Sequence, residues 1–287
     1  MRRYFSFTLI FFIFFQFNQA NANINVISAE NFYSDVAKSI GKEHIKSSSI
    51  INSSKADPHS FVVSPKTSLQ ISNADIIIYN GLNYDPWIKP LLKVKKDSAI
   101  VIDVSKLLKI EKNTNPHIWL HTKTFKKLAR TLKEVFILIE PDKKKEFIKN
   151  YDCFLEEYSL VEKKIKDLKE KYQGISVTAT EPIFGYMSKA LGLKMLNKKL
   201  QWAIMYDKEI TPKMIIEYEN ILKKRKIELL FYNTQVKSNL TNNLIKIAKT
   251  YNIPTVGLTE NLPEKMDVNN WLMSILEDTE KSLLTKI

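Results

Sequence analysis

One cysteine in 287 residues leaves little room for thiol chemistry. Cys153 has no partner for a disulfide, and it lies too far into the chain to be a lipid-modified amino-terminal thiol. Thiolate-loving copper(I) loses its preferred ligand as well. Arginine is equally scarce. Lys and Arg together number 44 against 31 acidic residues, a formal charge of +13, yet apart from Arg2 and Arg3 the only arginines are Arg130 and Arg225. Base and phosphate recognition leans on arginine's bidentate fork, so nucleic acid is not expected as a partner. The lysines alternate with glutamates along amphipathic stretches and read as a solvated surface. Long apolar runs are missing too. The one from Tyr4 to Phe15 is shorter than the roughly 20 residues that span hydrocarbon, and no Gly-Ser linker or low-complexity stretch marks a further unit.

That apolar run has its own meaning. Arg2 and Arg3 precede it and Ala20-Asn21-Ala22 follows it, the order of charged region, apolar region and A-x-A site found in a cleavable export signal. The expectation is a signal peptide over 1–22 and a mature chain from Asn23. Export with no anchoring cysteine points to a soluble protein of a Gram-negative periplasm, with no lipid anchor. A secreted adhesin would more often carry disulfides or repeats.

The middle of the chain is dominated by residues 141–172. Phe147, Tyr151, Phe154, Leu155, Tyr158, Val161, Ile165, Leu168 and Tyr172 recur in steps of three and four, the stripe of one long helix. Pro141 suits its first position and Gly174 lies just past its end. At 1.5 Å per residue it is roughly 45 Å long, enough to bridge two lobes.

On either side strands alternate with helices. Before it come strands at 23–29, 49–51, 75–79 and 99–104 and helices at 30–40, 65–73, 87–92 and 122–139. After it come strands at 175–178, 194–196, 229–232 and 255–258 and helices at 182–191, 212–224, 240–251 and 268–285. This is the grammar of parallel βαβ units. The expected fold is α/β, with two parallel-sheet lobes, 23–140 and 173–287, joined by one long rigid helix.

Four histidines are available: His44, His59, His117 and His121. Two share a context, Asp57-Pro58-His59 and Asn115-Pro116-His117, where proline restrains the turn that presents the imidazole. In the second half Glu181 and Glu260 each follow a strand. Either could be a metal ligand; Glu181 could equally answer a helix dipole, and Glu260 could be a solvated loop residue. Ligands of open α/β lobes gather at strand carboxyl ends, and all four residues sit at such places.

The segments DPHSF (57–61), ISNADIIIYNGLNYDPWI (71–88), NPHIW (115–119), TATEPIFGYMSKALGL (178–193), VGLTENLP (256–263) and WLM (271–273), in this order, span the mature chain. With them the sequence resembles the zinc/manganese family of periplasmic metal-binding receptors of ABC transporters. The resemblance implies two lobes on a rigid helix and places His59, His117, Glu181 and Glu260 on the four ligand positions. At Glu260 that family more often shows aspartate. His121 stands where many relatives show an acidic residue and is read as a neighbour of the site or a surface residue, not a fifth ligand. A transported Zn²⁺ or Mn²⁺ ion, with no catalytic cofactor, and a membrane permease are the implied partners of a monomer.

Two imidazoles and two carboxylates neutralise a divalent cation. Zinc-selective relatives often have a third histidine and a His-rich loop. Here Glu181 takes the third place, which tilts the set toward manganese. Two other functions compete. A metallohydrolase would keep an open position for water, and HIWLH lacks the glutamate of an HExxH site. A receptor for an iron chelate or other organic ligand on the same scaffold would want arginines or aromatic residues in its cleft, and arginine is scarce.

Overall fold

The computed structural model describes residues 23–52, 61–206, 208–236 and 238–284. The export segment and the turn carrying His59 lie outside them. In chain order the first half contains β1 Ile24–Glu30, α1 Asn31–Gly41, β2 Ile45–Ile51, α2 Pro65–Asn73, β3 Ile76–Tyr79, α3 Ile88–Leu91, β4 Ile100–Asp103, α4 Val104–Leu107 and α5 Thr124–Ile139. Helix α6, Lys144–Tyr172, follows. The second half contains β5 Ser176–Ala179, α7 Gly185–Ala190, β6 Lys194–Met195, α8 Lys198–Met205, α9 Pro212–Lys223, β7 Leu229–Asn233, α10 Asn239–Thr250, β8 Thr255–Leu258 and α11 Val268–Leu284.

The two sheets have the orders β2-β1-β3-β4 and β6-β5-β7-β8, and every pairing is parallel. The same topology therefore occurs twice. Each sheet reverses its strand order beside its first strand, and the crevice at that point faces the other lobe's. Central strand β3 is the run Ile76-Ile77-Ile78-Tyr79, buried throughout because helices cover both faces.

Edge strand β2 starts four residues before the expected Ser49. Its sequence IKSSSII shows no apolar alternation, and at an edge none is needed. Ser47 exchanges a 2.9 Å hydrogen bond with Ser34 of α1 instead. Helix α8 was absent from the sequence reading for a similar reason. Asn197 precedes it with φ 55° and caps nothing, and its buried face includes Gln201, whose amide donates to the Leu196 carbonyl at 2.7 Å.

Helix α6 begins after a single 3-10 turn, Pro141–Lys143, and Gly174 adopts φ +87° just beyond its end. Phe147, Phe154, Tyr158, Val161, Ile165, Leu168 and Tyr172 are buried, whereas Tyr151 and Leu155 sit at the rim of the stripe. The buried face also includes Asn150, whose Nδ2 donates to the Ile40 carbonyl at the end of α1, 3.0 Å away. The helix packs on α1, α5 and α11. Near its carboxyl end Lys164 and Lys171 both reach Glu280 of α11.

Because α11 also reaches the first lobe, a single buried cluster runs through both halves. Phe32 of α1 stacks on Trp271 of α11 with centroids 5.8 Å apart. The Asn31 amide exchanges two hydrogen bonds with the backbone of Leu262, at 2.8 and 2.9 Å, and Asp35 accepts from the Val268 N–H at 2.9 Å. Many surface lysines pair along helices, as Lys213 with Glu217 and Lys223 with Glu219, in keeping with a solvated face. Among the described residues no helix is long and apolar enough to cross a membrane.

Phe147 is fully buried against Phe136 and the edge of the His44 ring. Phe147→Ala should cost about 3–5 kcal/mol of unfolding free energy, read from the urea midpoint at unchanged slope.

Candidate metal centre

Three loops at strand carboxyl ends converge between the lobes. His117 comes from the loop between α4 and α5, Glu181 from the turn after β5 and Glu260 from the turn after β8. One ligating atom of each lies within 4.8 Å of the others, and all three side chains are buried. These are three of the four residues expected from the sequence; His59, the fourth, belongs to the turn outside the described residues.

His117 is held by Asn115, two residues earlier. The Asn115 Oδ1 accepts from the His117 backbone N–H at 3.0 Å and meets the ring Nδ1 at 2.7 Å. The other end of the Asn115 amide, Nδ2, donates to the Pro182 carbonyl at 2.7 Å. A carbonyl only accepts, which fixes the amide's orientation, so Nδ1 must carry the hydrogen and Nε2 the lone pair. Burial pushes the imidazole down to about 4, against the opposing charge of Glu181, so the ring is neutral at pH 7.

The Nε2 lone pair faces Oε1 of Glu260 at 3.0 Å. Two acceptors at that distance repel unless a proton or a cation lies between them. The second oxygen of Glu260 takes the Tyr84 hydroxyl at 3.4 Å, and its backbone N–H donates to Oε1 of Gln235 at 2.6 Å.

Glu181 precedes the 3-10 turn Pro182–Phe184 but makes no capping hydrogen bond. It is buried and accepts from Nδ2 of Asn233 at 3.2 Å. His121 is not in the cluster. Its Nδ1 accepts from the Lys123 N–H at 3.1 Å, and its ring lies edge-on to Tyr186. His44 bonds Glu146 at 2.6 Å and ties the turn after α1 to α6.

The supporting residues Asn115, Tyr84, Asn233 and Gln235 were not singled out from the sequence. Asn115 and Tyr84 lie inside the recognised NPH and YDPW stretches, where the prolines and the histidine drew attention. Asn233 ends strand β7 and Gln235 follows it, a carboxyl-end position that strand placement alone could have supplied. A cleft of about 790 Å³ opens beside Asn115 and Pro182, but none of the three clustered residues lines it.

Taken together, the repeated lobe topology, the bridging helix and the buried imidazole–carboxylate cluster define a two-lobed receptor of the solute-binding class. The chain belongs to the ZnuA family, the periplasmic component A of the zinc-uptake complex, whose model matches residues 26–281. It is 28% identical over 262 residues to the metal ABC transporter substrate-binding lipoprotein SsaB of Streptococcus sanguinis, covering 83% of this chain and 81% of that one. To the manganese ABC transporter substrate-binding lipoprotein scaA of Streptococcus gordonii it is 26% identical over 270 residues, with 86% and 84% covered. Its fold matches the periplasmic zinc-binding protein TroA of Treponema pallidum with a TM-score of 0.77 at 16% identity, over 91% of this chain and 99% of that one.

The chain is thus a substrate-binding protein of a metal ABC transporter and not an enzyme, and neither the metallohydrolase nor the iron-chelate reading is supported. One expectation is overturned. The curated relatives are named lipoproteins, held to a membrane surface by lipid, which contradicts a periplasmic product with no lipid anchor.

Asn115→Ala should weaken Zn²⁺ binding by about 10–100-fold in chelator competition, because the ring loses the partner that sets its tautomer. The same variant should unfold close to the wild-type midpoint, since the apolar core is untouched.

Proposed function

We propose that the chain captures one Mn²⁺ or Zn²⁺ ion on His59, His117, Glu181 and Glu260 and hands it to the membrane permease. The lobes in this reading are 23–140 and 173–287, with 141–172 as the strut between them. The observation that carries it is the approach of the His117 Nε2 lone pair to the Glu260 carboxylate at 3.0 Å in a buried site, with Glu181 beside them. A divalent cation turns that repulsion into attraction. Two neutral imidazoles and two carboxylates then leave no net charge in a low-dielectric cleft.

Zinc accepts such a four-coordinate set, and manganese accepts it when a carboxylate binds through both oxygens or water joins. With an oxygen donor from Glu181 the set favours manganese more than a three-histidine site would. Trace zinc still competes in vitro, because the Irving–Williams order places it above manganese.

A thousandfold excess of metal over its dissociation constant should stabilise the protein by about 4 kcal/mol. His117→Ala should remove most of that gain in thermal melts with Mn²⁺ or Zn²⁺. An unchanged metal-induced shift in this variant would refute the site.

Glu181 tests the choice of metal. Glu181→His should raise the zinc-to-manganese affinity ratio while retaining zinc binding, whereas Glu181→Ala should weaken both metals. Parallel titrations of the two metals measure the ratio, and an unmoved ratio in Glu181→His would place the third ligand elsewhere.

A further inference from the structure

Beneath the cluster lie two buried carboxyl groups that metal binding does not use. Glu30 ends β1 in the position before α1, yet makes no capping hydrogen bond. It is 0% exposed, and neither of its side-chain oxygens accepts a hydrogen bond from a donor group of the described residues. Its neighbour is Asp85, 2% exposed. Asp85 is well supplied with donors, since the backbone N–H groups of Asn80 and Gly81 reach its two oxygens at 2.6 and 3.0 Å. Gly81 sits at φ +81°, and a Cβ there would lie 2.5 Å from the Asp103 carboxylate, so the turn admits no ordinary side chain at that point.

Two carboxyl groups in contact inside a protein cannot both be ionised. The donors decide which one keeps the charge. Asp85, with the N–H groups of Asn80 and Gly81, is the carboxylate; Glu30, with no donor from another described residue, is the acid, and its O–H is the donor that Asp85 can still accept. Burial and the Asp85 charge, in that order, hold the Glu30 carboxyl well above its ordinary range. Among the described residues the titratable groups facing the pair offer no cation. They are Tyr33 of α1, Tyr84 of the turn after β3, Asp103 beyond Tyr33 and, across Tyr84, Glu260.

The turn held by Asp85 touches two arms of the metal site. Nδ2 of Asn80 donates to the Pro116 carbonyl at 2.9 Å, directly before His117, and Oδ1 of Asn80 accepts from Tyr33 at 2.7 Å. Tyr84 donates to Glu260 at 3.4 Å. We propose that Glu30 and Asp85 share one proton and that this acid–carboxylate pair is the positioning element for the 80–85 turn, through which the His117 loop and the Glu260 carboxylate are set at binding distance. The inference rests on His117 and Glu260 being ligands. It adds that a neutral acid outside the ligand set tunes metal affinity.

The test compares Glu30→Gln, which keeps a hydrogen to donate, with Glu30→Leu, which keeps bulk and removes the donor. Zn²⁺ titration against a competing chelator at pH 7 should give Glu30→Gln the wild-type affinity and weaken Glu30→Leu by about tenfold or more. Equal weakening in both variants, or in neither, would overturn the proposal.

A second readout needs no metal. The folded wild type keeps a proton on Glu30 that the unfolded chain releases above about pH 4.5, so this group makes stability fall as pH rises from that point. Denaturation of the metal-free protein between pH 5 and 8 should show a steeper decline for wild type than for Glu30→Gln, approaching a tenfold change in folding constant per pH unit. Parallel curves would show that no proton is held at Glu30. Infrared difference spectra at pH 8 should show the C=O band of a protonated carboxylic acid in wild type and not in Glu30→Gln. His117→Ala in the same titration separates the two levels of the argument. If it binds like wild type, the ligand assignment fails. If it loses binding while Glu30→Leu does not, only the present inference fails.

Discussion

The constraint on which the rest of this structure depends is the meeting of two acceptors, Nε2 of His117 and Oε1 of Glu260, contributed by different halves of the chain at 3.0 Å. Such a contact is unfavourable in a buried place unless positive charge joins it. Several other features serve to make it. Asn115 directs the lone pair, Gln235 fixes the backbone of Glu260, Asn233 orients Glu181, and Tyr84 takes the oxygen of Glu260 that does not face the histidine. One ligating atom of each of the three clustered side chains thereby lies within 4.8 Å of the others.

Holding that point requires the halves to keep their relation. The strut α6 does this with an almost wholly apolar stripe, but it does not act alone. Helix α11 returns from the end of the second half to stack Trp271 on Phe32, while Asn31 and Asp35 bind the segment leading into it. The turn carrying Glu260 therefore sits close to a covalently distant but tightly packed joint. Large hinge opening would have to break apolar stacking and several backbone hydrogen bonds together. Small rotations or loop movements disturb only the polar contacts around the site.

Much of this was legible in the sequence, and the failures have physical causes. The α6 stripe was read nearly residue for residue because a long helix on a core must repeat its apolar positions. Tyr151 and Leu155 pack partly buried at the stripe's edge, where Asn150 turns inward to satisfy the Ile40 carbonyl, a contact no periodicity reveals. Strand β3 was clear as a run of isoleucines; β2 was cut short because an edge strand tolerates serines. Within the site, residues whose chemistry announces itself, such as His117, were visible. Asn115 and Asn233 were not, since an asparagine that aligns a ligand looks like any turn residue until the fold brings a carbonyl or a carboxylate to it.

Glu30 is the extreme case of that problem. In sequence it stands where a helix would place a favourable first-turn charge, and an acid there is ordinary. The fold denies it that role by turning the side chain inward, beside Asp85 and two tyrosines, where no cation of the described residues answers a charge. Asp85 is needed in ionised form because two backbone N–H groups of a strained turn depend on it, so the neutral state falls to Glu30. The site above it concentrates further negative charge at Glu181 and Glu260. A second ionised carboxyl below would add to the repulsion among the acidic groups of the metal-free protein, whereas a neutral acid supplies a hydrogen bond without adding charge. Keeping the proton on Glu30 thus leaves the metal's charge to be balanced by the residues that touch it.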